Sequence, residues 1–160
     1  MEFQDRLDRA IARGRRQSSD RAEEEALRAL TEKELHRLHS QGRLELVDHI
    51  ERCLRQLADR FPGFRFETIV DERGWGAVIS RDDLRLQRGQ PRTSCFSRLE
   101  LLIMPVTSSM VLELAGKGTV CNREIFSRTQ YQRLAEMDLP VFTNLIDVWV
   151  LEYAERYAAQ

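Results

Sequence analysis

The period of apolar positions along these 160 residues changes once, near Phe61-Pro62-Gly63. Ahead of it the spacing is helical. Phe3, Leu7, Ala10 and Ile11 recur at three- and four-residue steps and predict a short amphipathic helix, which Gly14 is placed to end. Arg15 to Ser19 reads as a polar joint. Asp20 with Glu23, and Thr31 with Glu34, carry the spacing of capping boxes, so a second helix and a break near Thr31 are expected. Leu27, Leu30 and Leu38 fit one face of that segment, and Gly42 closes it. Leu44, Val47, Ile50, Leu54, Leu57 and Phe61 form the clearest stripe, stopped by Pro62-Gly63.

Downstream the period falls to two. Phe64, Phe66, Thr68 and Val70 alternate with Arg65, Glu67 and Ile69, as in a half-buried strand. Asp71-Glu72-Arg73-Gly74 reads as a hairpin turn, with Gly74 free to take positive φ. Trp75 to Ser80, extending toward Leu84 and Leu86, is the second strand, and Arg88-Gly89-Gln90-Pro91 the next loop. Phe96 to Met104 is apolar on both faces, which predicts a central strand covered twice. Met110 to Ala115 is the fourth strand, Gly116-Lys117-Gly118 a turn, and Thr119 to Arg123 a fifth strand. Ser127 to Met137 is expected as a short helix. Asp138 then stands as an N-cap with Pro140 in the first turn of a final helix. Its stripe is Phe142, Leu145, Ile146, Trp149, Tyr153 and Tyr157, suited to lie across a sheet.

The fold class expected is α+β: N-terminal helices, an antiparallel four- or five-stranded meander joined by short connections, and a C-terminal helix packed on the sheet. Residues 1–61 form the helical segment and residues 62–160 the sheet with its helix, the two together making one compact domain. The order helix, strands, helix is similar to that of small secretion-chaperone-like domains, without a motif to accompany it.

Charge changes this picture little. Net charge is −1, which gives no overall steering toward nucleic acid or an anionic membrane. Lys33 and Lys117 are the only lysines, so positive charge is carried by arginines interspersed with acids. Cys53, Cys95 and Cys121 are an odd, widely spaced trio without a CxxC pair, and reduced thiols in a cytoplasm are the expectation. The acids at Glu2 and Asp5 do not suit a signal peptide, and Leu101 to Met104 is too short an apolar run to span a bilayer.

Candidate chemistry is sparse. All the histidines, His36, His39 and His49, fall in one helical stretch, so Ser, Cys and carboxylate groups later in the chain lack a nearby proton carrier. His36 and His39 lie about one turn apart, and His49 and Cys53 share the four-residue helical spacing. Together they could hold zinc if the chain folded back at Gly42; solvated or packed side chains are the plainer reading. Asp71-Glu72 and Asp82-Asp83, flanked by Arg73, Arg81 and Arg85, read as solvated turns with ion pairs. Thr93-Ser94-Cys95 has no base or nucleophile elbow beside it. Gly74-Trp75-Gly76 and Gly116-Lys117-Gly118-Thr119 lack the glycine spacing of phosphate-binding loops. No catalytic, cofactor-binding or metal-binding set is therefore assigned, and no cofactor is expected.

Two arginine clusters remain: Arg9, Arg13, Arg15 and Arg16, and Arg81, Arg85, Arg88, Arg92 and Arg98. With Trp75 or Phe96 as a stacking platform they could track phosphates, against a pI near 6.3 that is low for such a role. Glu136, Asp138, Asp147, Glu152 and Glu155 make the C-terminal region acidic, so basic and acidic surfaces could pair between subunits. The function expected is that of a non-enzymatic interaction or adaptor module, a homodimer with no membrane partner. The alternative is nucleic-acid or phosphorylated-ligand binding through the arginine loops.

Overall fold

A computed structural model describes residues 2–160. Helix α1 (Phe3–Arg60) is followed by strands β1 (Arg65–Asp71), β2 (Gly74–Arg85), β3 (Thr93–Ile103), β4 (Val111–Val120) and β5 (Arg123–Arg133). A single 3-10 turn (Leu134–Glu136) then leads into helix α2 (Leu139–Ala158). The strands form an antiparallel meander in the order β1-β2-β3-β4-β5. The α+β architecture is as expected, with five strands and the apolar-on-both-faces β3 at the centre.

The front end differs from expectation. The helical assignment runs through Gly14, Arg15 to Ser19, Thr31 and Gly42 without interruption. Thr31 Oγ1 donates to the Leu27 carbonyl 3.0 Å away, which is the mid-helix back-bond and not a cap. A lone glycine costs a helix only about 1 kcal/mol relative to alanine, too little to stop a segment rich in Ala, Leu, Glu and Arg. Gly42 has a packing role instead: a Cβ there would stand 3.1 Å from Met137 Sδ and 3.3 Å from Leu112 and Leu139. The helix stops where Pro62 and Gly63 (φ 110°) follow it.

Two compact units divide the chain, one ending at Arg37 and the other Leu38–Gln160. Every residue from Glu2 to Glu34 is exposed, including Phe3 at 74% and Leu27 at 65%. In the second unit, α1 buries His39, Gly42, Leu46, Ile50, Leu54 and Leu57, a three- and four-residue ridge. Helix α2 buries Phe142, Ile146, Trp149, Val150, Tyr153 and Tyr157. Beneath them the sheet offers Ala77, Ile79, Leu99, Leu101, Ile103, Leu112 and Leu114, all fully buried.

Strand β4 corrects the reading of Gly116-Lys117-Gly118. These residues lie inside the strand, paired with β3 and β5. A Cβ at Gly116 would come within 2.7 Å of the Trp149 ring, and one at Gly118 within 3.0 Å of Tyr153. The glycines thin the sheet where α2 lays its largest rings on it. The turn falls at Cys121 and Asn122, both in the left-handed region at φ 46° and 69°, as a tight hairpin requires. Residues expected as a helix after Ser127 are therefore strand, with only Leu134–Glu136 helical.

The first hairpin follows expectation, with Asp71 opposite Gly74 (φ 140°). The burial of β1 does not. Val70 is 76% exposed, while Ile69 packs with Val78 and Leu102 in a small cluster on the sheet face away from the helices. Phe66 lies on the other face, under the Arg55 guanidinium at 4.7 Å. As an edge strand, β1 meets too few neighbours to bury its whole alternate set.

Candidate functional site

The ridge that α1 buries leaves His49 and Cys53, one turn apart, on the flank that looks toward α2. On α2, Asp147 follows the buried Ile146 and so lies at the margin of the apolar stripe. The three side chains meet. His49 Nε2 is 2.7 Å from Asp147 Oδ1. Cys53 Sγ is 3.6 Å from the same Nε2 and 3.5 Å from Asp147 Oδ1. His49 and Cys53 are half-buried, and Asp147 reaches solvent. Beside them opens a groove of about 460 Å³, lined by Cys53, Gln56, Asp59, Arg60, Asp147 and Leu151 among others.

The chemistry this cluster can do is narrow. Burial first, and then the Asp147 carboxylate, push the Cys53 thiol up to about 11, so it stays protonated near neutrality and is a poor nucleophile. A nucleophile–base–acid relay uses both imidazole nitrogens, one for each neighbour. Here a single nitrogen faces both the thiol and the carboxylate, so the three groups converge on one point and do not form a chain.

His39 does not join this cluster, and His36 belongs to the other compact unit. His39 is buried, with Nε2 3.1 Å from the Met104 carbonyl oxygen and its ring edge-on to Trp75 at 6.3 Å. On a helix rising about 1.5 Å per residue, His39 stands roughly 15 Å along the axis from His49. Because α1 does not fold back at Gly42, His39 is not brought to His49 and Cys53. In the sequence Asp147 stands only as one of the acids of the C-terminal region, with nothing to tie it to His49 and Cys53.

Cys95 and Cys121 are joined in a disulfide, with Cα atoms 4.4 Å apart, against the expectation of three reduced thiols. The β3–β4 pairing brings them together, as Asn122 N donating to the Phe96 carbonyl and Cys121 N donating to Ser97 Oγ make plain. Cys53 remains free.

Two members of the arginine loop, Arg81 and Arg98, are committed to acids. Arg81 donates to Asp83 at 2.8 Å and to the Pro62 carbonyl at 2.6 Å. Arg98 and Arg73 both pair with Glu100, which is buried on the sheet face away from the helices. Asp71 pairs with Arg73, and Asp82 accepts from Ser94 Oγ at 2.6 Å, so these acids are turn and edge partners. Arg85 instead lines a depression of about 330 Å³ beside the disulfide with Arg123, Arg156 and Gln160, a grouping the sequence spacing did not suggest.

The class that fold and sites define is an α+β chain with a two-helix layer over a five-stranded antiparallel meander. Comparison with known protein families, curated proteins and solved structures finds no match to this chain.

Proposed function

We propose that this chain is a non-enzymatic protein-interaction module, adaptor- or chaperone-like, that associates with a second copy of itself through its N-terminal helical unit. The observation that carries the reading is the exposure of that unit. From Glu2 to Glu34 no residue is buried, and Phe3, Leu7, Ile11, Leu27 and Leu30 present apolar side chains to solvent. Helical stability in proteins comes mostly from packing an amphipathic face, so a helix of this kind gains most from a partner. Charge favours a second copy as that partner. Residues 2–16 hold five arginines against three acids, whereas residues 20–34 hold six acids against three bases. Light scattering across a concentration series, with full-length Leu27→Asp/Leu30→Asp as the control, tests this. A concentration-dependent dimer lost in the variant supports the reading; a monomer at every concentration defeats it.

Among the described residues, no helix is long and apolar enough to cross a membrane. A cytoplasmic setting belongs to the same reading, and the Cys95–Cys121 pair reports on it. Acid-quenched cells that yield the dithiol support that setting, and a disulfide at quench points to an oxidising compartment.

A second reading has its own observation, the depression lined by Arg85, Arg123 and Arg156 with no acid among its lining residues. Guanidinium groups gathered in this way suit a phosphorylated ligand. Pyrophosphate should then raise the melting temperature of the wild type and not of Arg123→Ala/Arg156→Ala.

A further inference from the structure

We propose that His49, Cys53 and Asp147 form a binding site for a thiophilic divalent cation, zinc being the best match, with its fourth coordination position open to the adjoining groove. The donor set is one imidazole nitrogen, one sulfur and one carboxylate oxygen, the mixed N/S/O environment that zinc accepts. Geometry supports the assignment beyond residue type. Zinc held tetrahedrally, with sulfur at about 2.3 Å and nitrogen or oxygen at about 2.0–2.1 Å, sets sulfur–nitrogen and sulfur–oxygen edges of about 3.5 Å. The observed separations are 3.6 Å and 3.5 Å. The remaining nitrogen–oxygen edge should be about 3.4 Å in such a site. At 2.7 Å it is now spanned by the His49–Asp147 hydrogen bond, so a small opening of one exposed carboxylate completes the triangle.

Two ligands come from one turn of α1 and the third from α2, whose packing against the sheet is fixed by Trp149 and Tyr153. The scaffold is rigid, and only side-chain rotation is required. On coordination the Cys53 thiol gives its proton to solvent. Thiolate, carboxylate and dication then balance to zero charge, so the cation offsets the repulsion between thiolate and carboxylate that would otherwise keep the thiol protonated. Three protein ligands leave one position for water or a donor atom of a small ligand, and Cys53 and Asp147 line the same groove as Gln56, Arg60 and Leu151.

The test is a cobalt(II) titration of the full chain, purified without a metal column or histidine tag and with the Cys95–Cys121 disulfide intact. Expected is one cobalt per chain, with a thiolate-to-cobalt charge-transfer band and the intense visible bands of tetrahedral cobalt, both bleached by zinc. Cys53→Ser should abolish the charge-transfer band. Asp147→Asn, an isosteric change at a half-exposed position on α2, should weaken binding at least tenfold with unchanged circular dichroism. His36→Gln should bind as the wild type does. Absence of stoichiometric uptake, a charge-transfer band that survives Cys53→Ser, or unchanged affinity in Asp147→Asn overturns the site.

Discussion

At the scale of single residues, glycine is where this chain is most easily misread. A glycine in a sequence announces either backbone freedom or lack of room, and the pattern does not say which. Gly14 and Gly116 make the contrast measurable. Around Gly14 a new Cβ meets nothing within 4 Å, so Gly14→Ala should gain helix propensity alone, about 0.5–1 kcal/mol locally, and raise helicity by circular dichroism. At Gly116 the same Cβ would enter the Trp149 ring at 2.7 Å and Leu101 at 2.9 Å. Gly116→Ala should therefore cost about 1–3 kcal/mol by overpacking and lower the melting temperature by several degrees. Equal melting of Gly116→Ala and wild type would show that the close fit under α2 is not what the glycine serves. Asp147 shows the complementary difficulty. His49 and Cys53 announced their pairing through helical spacing, but their third partner is ninety-four residues away from Cys53, and only the packing of α2 against α1 brings it there.

At the scale of elements, legibility followed the number of neighbours an element has. Most of the α2 stripe and the stretch of β3 from Leu99 to Ile103 are packed, and their patterns carried over into the fold. The capping signals at Asp20 and Thr31 sit in exposed helix, where nothing forces a break, so intrinsic helix propensity prevails. Helix α2 is also fastened to the sheet electrostatically. Glu152 pairs with Arg128 of β5 through two hydrogen bonds, and this pairing holds the Glu152 carboxyl below the usual glutamate range. A carboxyl depressed in the folded state contributes stability above its unfolded pKa and loses it as pH falls through the folded one. The melting-temperature advantage of wild type over Glu152→Gln should thus be greatest near neutrality and shrink as pH drops below the ordinary glutamate value. Both side chains are partly exposed, so the advantage is small and salt should reduce it. An advantage independent of pH would mean that Glu152 acts through packing instead.

At the scale of the whole molecule, the proposed self-association has to be built on the exposed helical unit. Its two apolar groups, Phe3-Leu7-Ala10-Ile11 and Ala26-Leu27-Leu30, lie on roughly opposite sides of the helix at about 100° per residue. There is no continuous heptad seam, so a tight coiled coil is not what the pattern specifies. In the proposed dimer, charge is then what would set the arrangement. In an antiparallel pair of copies, the arginines through Arg16 of one chain face the acids from Asp20 onward of the other, with Ser18 and Ser19 near the centre. A parallel pair would set like against like. Arg9→Glu/Arg13→Glu makes both halves acidic, and Glu23→Arg/Glu24→Arg/Glu25→Arg makes both basic. Each variant alone should be monomeric, a 1:1 mixture should recover a heterodimer, and raising salt should weaken the wild-type and mixed pairs alike. Self-association of either variant by itself, or a mixture that stays monomeric while the wild type dimerises, would exclude antiparallel charge pairing.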